Sequence, residues 1–172
     1  FCLLTIIVHI VPHAMDLGLT PPIAVGVLST IGGVSMLGRI VMGTANDKIG
    51  GKRSLSICSI LLLGGLCWLL VASEAWMLFL FAVIYGFAHG GLFTVMSPTI
   101  AEFFGTGSHG LLYGVVLASG TIGGAAGPLM AGYTFDVTGN YRIAFLILIL
   151  LAVIGFILIT LLQPSREGDA QR

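Results

Sequence analysis

Apolar residues fill this chain in six long stretches, at about 1–15, 22–45, 55–73, 75–101, 110–134 and 141–162, separated by short polar breaks. Crossing the hydrocarbon core of a bilayer as an α-helix takes roughly 20 residues, whereas the strands of a membrane barrel are about half as long and alternate apolar with polar positions. The pattern therefore predicts six transmembrane helices. The first stretch is short and opens on Phe1 with no basic residues before it, which reads as a truncated span rather than a signal peptide. The expectation is a fragment whose N-terminal part is missing.

Composition points the same way. Hydrophobic residues make up 57% of the chain and charged ones 8%, while a soluble surface needs about a quarter charged residues. The net charge is zero, but its distribution is uneven: Lys48, Lys52 and Arg53 follow the second stretch, Arg166 and Arg172 follow the sixth, and Asp16, Glu74 and Asp136 occupy the opposite connections with Arg142 as their one base. The positive-inside rule then places the loop at 46–54 and the tail at 163–172 in the cytoplasm, with the 102–109 connection there by parity. Nothing in the pattern suggests a nucleic-acid partner. Cys2, Cys58 and Cys67 lack C-x-x-C spacing and read as small hydrophobes, so no metal or other cofactor is expected.

Two polar features interrupt the apolar runs. Arg39 lies inside the second stretch, where an arginine costs roughly 3 kcal/mol and calls for an anionic partner. On a helix its neighbours at three, four and seven positions are Met36, Ser35, Gly43 and Gly32, mostly small, which leaves room for a ligand suited to the planar guanidinium. Snorkelling to the cytoplasmic end is the other reading that the residues leave open. The second feature is the spacing G-x-x-x-D-x-x-G at 43–50, which recurs at 132–139 after the fifth stretch. Three spans along the chain reverses membrane side, so the recurrence fits two three-helix units of inverted topology, about 1–73 and 75–162.

The run Gly43-x-x-x-Asp47-Lys48-x-Gly50-x-Lys52-Arg53 between two spans resembles the loop signature of the major facilitator superfamily, with departures at Ala45, Asn46 and Gly51. The resemblance implies an all-α membrane fold: the C-terminal half of a twelve-helix transporter, built as a 3+3 inverted repeat and partnered by its own N-terminal six-helix half. It implies that the loop's acid and bases help latch one face shut. Finer features resemble the monocarboxylate and oxalate:formate carriers: His9-Ile10-Val11-Pro12-His13, Gly38-Arg39, Ala101-Glu102-Phe103-Phe104-Gly105, Gly127-Pro128 and Gly139-x-Tyr141. By that resemblance Arg39 binds a substrate carboxylate. Span five has no second base of the oxalate type, and Ser35 stands where proton-coupled members carry an acid. A monocarboxylate is therefore the expected substrate, and its coupling to a proton is open.

The remaining candidates are histidines, aromatics and glycines. His9 and His13 share one helix face, as a proton relay or substrate path requires, but two ligands do not make a metal site. Phe93 and Tyr113 are the aromatic candidates for the pocket. Gly86 and Gly90, and the overlapping pairs Gly120/Gly124 and Gly123/Gly127, predict close backbone approach between helices. Two other functional classes remain: an intramembrane enzyme using His9, His13 and Glu102 or Asp136, and a non-transporting sensor on a transporter-like scaffold.

Overall fold

The computed structural model describes residues 1–162, so the expected tail with Arg166 and Arg172 lies outside the described residues. Six helices follow one another: α1 (Cys2–Asp16), α2 (Pro21–Ile49), α3 (Gly51–Leu69), α4 (Ala75–Phe104), α5 (His109–Thr138) and α6 (Arg142–Leu161). Five are long and apolar enough to cross a membrane, and α1, at 15 residues, is shorter. Helices satisfy every backbone group within the segment, which hydrocarbon demands. Pro12, Pro98 and Pro128 sit inside helices without ending them.

One expectation needs correction. The stretch 46–54 is not a loop: α2 runs on through Asp47 and Lys48 to Ile49, and α3 begins at Gly51 rather than near 55. Gly50 alone connects them, with φ at +83° and its N–H donating to Asn46 O at 2.9 Å. Lysine and the small polar residues of this stretch tolerate a helix, and the positive φ that ends it is a conformation glycine adopts at no steric cost. Gly139 also ends α5 at a positive φ, +69°, but in the left-handed helical region that Gly50 does not adopt. The last glycines of the two G-x-x-x-D-x-x-G motifs are thus both helix C-caps.

The helices pair with a symmetry of their own. α2 packs along α4 and α1 along α5, α3 and α6 pack together, and α3 also packs on α4. Exchanging α1–α3 with α4–α6 leaves the first three pairings unchanged. The main core, including Ile6, Ile10, Val27, Ile31, Leu66, Phe81, Tyr85 and Leu148, draws on α1, α2, α3, α4 and α6. Its centre is α4, whose Tyr85 hydroxyl donates to Leu3 O on α1 at 2.6 Å.

Candidate functional site

The α2–α4 seam is closed backbone to backbone. A Cβ on Gly86 would stand 2.7 Å from Ile31 O, one on Gly90 would overlap Ser35 O, and one on Gly38 would overlap Phe87 O. The glycine pair at 86 and 90 does here what its spacing predicts. Ser35 is buried in the seam, and its hydroxyl donates to Gly32 O at 2.8 Å. Its position beside Arg39 on α2 does not carry it into an open pocket.

The seam has two unlike edges. On one, Val34, Leu37 and Val41 of α2 face Val83, Ile84 and Phe87 of α4 together with Leu61 of α3, a wholly apolar cleft. Arg39 is two residues from both Leu37 and Val41, about 200° around the helix, and His89 is likewise two residues from Phe87. Both therefore belong to the opposite edge. There Arg39 is exposed on α2, and His89 stands on the same side of α4. His89 continues an i, i+4 ladder on α4: Tyr85 lies 5.9 Å and Phe93 5.1 Å from it between ring centroids, and Ser97 follows. Phe93, at 40% exposure, lines a cleft of about 240 Å³ with Phe1, with Leu3 and Leu4 of α1 and with Val116, Leu117 and Gly120 of α5.

Of the residues on this edge, Arg39 and Phe93 are candidates from the sequence, and His89, whose ring lies against Phe93, is one the sequence reading did not single out. The i, i+4 spacing Tyr85–His89–Phe93–Ser97 is the signal in the sequence that could have found it. Tyr113 belongs at the ladder's far end, stacked on His109 at 5.9 Å, where Ser97 Oγ meets His109 Nε2 at 3.2 Å.

His9 and His13 sit elsewhere. His9 is spoken for at both nitrogens: Nε2–H donates to Pro128 O at 2.9 Å and Nδ1 accepts from the Tyr141 hydroxyl at 3.2 Å, a tautomer fixed by the carbonyl, which can only accept. It ties α1 to α5 and to the start of α6. His13 packs edge-on against Tyr141 and Phe145, with Nε2 enclosed and unpartnered, in a separate cleft of about 420 Å³ that Asp16 and Arg142 also line. Among the described residues no group of three His, Cys, Asp or Glu is placed to hold a metal ion.

The sequence profile described as Major Facilitator Superfamily matches residues 1–172. The chain belongs to the major facilitator superfamily. Among curated relatives, Monocarboxylate transporter 13 of Rattus norvegicus is 37% identical over 142 residues, 81% of this chain and 33% of the relative. Monocarboxylate transporter 12 of the same organism is 30% identical over 144 residues, covering 81% and 30%. Autophagy-related protein 22 of Yarrowia lipolytica is 28% identical over 158 residues, covering 83% and 27%. The chain spans about a third of the length of the monocarboxylate transporters it matches. Membership of this superfamily accords with the five helices long and apolar enough to cross a membrane.

The superfamily's loop signature here is a junction of helix ends. Glu102 Oε2, near the end of α4, accepts from the Gly51 N–H at 2.6 Å, capping the start of α3. Lys52 Nζ donates to Thr160 O and Leu162 O, both at 2.7 Å, capping the end of α6. These are charge-assisted bonds to backbone groups that helix termini leave unpaired. Asp47, Lys48 and Arg53 are exposed around them. Gly43 is held against α4, where a Cβ would lie 3.2 Å from Thr94. The departure at Gly51 has a steric cause, because a side chain there would run into Thr99 and Glu102. Asn46, the other polar departure, is buried with Oδ1 unpartnered.

Proposed function

We propose that this chain is one six-helix half of a secondary carrier of small organic anions, with monocarboxylates as substrates and alternating access as the mechanism. The observation that carries the reading is Arg39. It is the one Lys or Arg among the described residues away from a helix end, on the polar edge of the seam, and α2 runs on for about 15 Å beyond it at 1.5 Å per residue. A guanidinium so placed offers a fork of donors matched to a carboxylate. That two of its relatives are named monocarboxylate transporters supports the same substrate class.

In this reading Phe93 lines the substrate path, Ser35 shapes the seam, and the N-terminal half supplies the facing wall. The segments 1–73 and 75–162 are the two inverted units, supported by the symmetric pairing of helices and by the glycine caps at Gly50 and Gly139. The end bearing Lys48, Lys52 and Arg53 faces the cytoplasm. Exchange of oxalate with formate is the runner-up, and it is disfavoured because α5 carries no Lys or Arg.

Uptake of labelled lactate, pyruvate, formate and oxalate by the whole transporter tests the reading. Arg39→Ala is expected to lower kcat/KM for the transported anion by about 100-fold, in line with the 2–5 kcal/mol that loss of one member of a desolvated charge pair costs. Arg39→Lys should recover part of it, since an ammonium keeps the charge but loses the fork. Saturable uptake at the native rate in Arg39→Ala removes the binding role.

A further inference from the structure

We infer that His89 is the proton-carrying partner of Arg39: its imidazole meets the bound carboxylate opposite the guanidinium and takes up a proton with it. The inference rests on the carrier reading above and goes beyond it by naming the coupling group.

Of the four histidines, His89 is the one on the Arg39 edge of the α2–α4 seam. His9 uses both ring nitrogens between helices, His109 meets Ser97, and His13 lies in a different cleft. His89 makes ring contacts with Tyr85 and Phe93, while its Nδ1 is enclosed with no hydrogen-bond partner. A buried polar atom left in that state calls for an explanation.

Its surroundings contain a cation and no acid. Arg39 lies on the same edge of the seam, on α2. Cys2 lies on α1, Tyr85 is on α4 itself, and Cys58 of α3 lies against Gly91. On α5 no titratable side chain occurs between Tyr113 and Tyr133. The acids among the described residues, Asp16, Asp47, Glu74, Glu102 and Asp136, all stand at helix ends. An imidazolium beside a guanidinium is repelled until an anion sits between them. Neutral imidazole has one N–H, whereas the protonated ring donates from both nitrogens. A carboxylate held by Arg39 therefore supplies both the charge and the acceptor that a second proton on His89 needs, and that proton in turn tightens the carboxylate. Anion and proton enter from one side together. When the carboxylate leaves on the other side the proton follows it into water, and the ring returns to its neutral form.

The test uses the whole transporter in proteoliposomes with labelled lactate as probe and a pH-sensitive dye trapped inside. The native protein should accumulate lactate down an inward proton gradient, with acidification of the lumen. In His89→Gln, gradient-driven accumulation should fall by about tenfold, KM should rise, and the rate should lose its dependence on pH across about 5 to 8, the range in which an imidazole titrates. Lactate exchange should persist, weakened, as the sign of a folded carrier. His89→Asn, smaller than the native ring, is read in the same way if the glutamine variant fails to fold. A variant that keeps the native pH profile and accumulation overturns the inference. So does a native protein that exchanges lactate without moving protons, although the carrier reading then stands. No lactate uptake, or uptake indifferent to Arg39→Ala, overturns the carrier reading and this inference with it.

Discussion

α4 and α5 are each 30 residues long and each contain one proline, yet α4, with three glycines, buries twelve residues and α5, with seven, buries three. The difference lies in where the glycines fall. Gly86, Gly90 and Gly91 of α4 each meet a neighbour that would collide with a Cβ, so α2 and α3 close around this helix. On α5 only Gly123, Gly124 and Gly127 approach α1 closely, while Gly110, Gly114 and Gly120 face open space. Leu111, Val115, Ile122 and Leu129 are left more than 60% exposed. Apolarity brings a helix into the membrane, but small residues decide which helix sits at the centre, because lipid is as apolar as leucine.

The comparison can be broken most severely at the seam. Gly90→Val places branched carbon against the Ser35 backbone, which cannot swing aside, and should cost about 3 kcal/mol, the upper range for overpacking. It is read as lost monodisperse protein in detergent and a lowered melting temperature. Tyr85→Phe removes the hydroxyl that binds Leu3 O and should cost about 1 kcal/mol, with the fold intact. Gly120→Ala on α5 sharpens the contrast from the other side. Facing open space, it should shift stability by less than about 0.5 kcal/mol, read as an unchanged melting temperature. A large loss there would mean that α5 is packed as closely as α4.

Much of this was legible in the residues. The six spans follow from apolar run length, and Gly86 with Gly90 announces a close seam. Three features resisted. The stretch 46–54 read as a loop because hydropathy reports where lipid ends, whereas a helix ends where φ changes sign, here at Gly50. Gly120 shares the G-x-x-x-G spacing with Gly124, yet only Gly124 meets a neighbour, because spacing cannot say which face of α5 finds α1. His89 is one polar residue in an apolar run, and its relation to Arg39 exists only once α2 and α4 lie backbone to backbone. The two are 50 positions apart in the chain.

The single-residue junction at Gly50 bears on which gene variants this protein can carry. Its neighbours on both sides are already helical, so an in-frame codon gained or lost there would turn the whole of α3 by about 100° relative to α2. Cys58, Leu62 and Leu66 would rotate out of the core, and Lys52 would lose the end of α6. Length variation in this region should therefore be confined to other connections, such as residues 70–74 between α3 and α4.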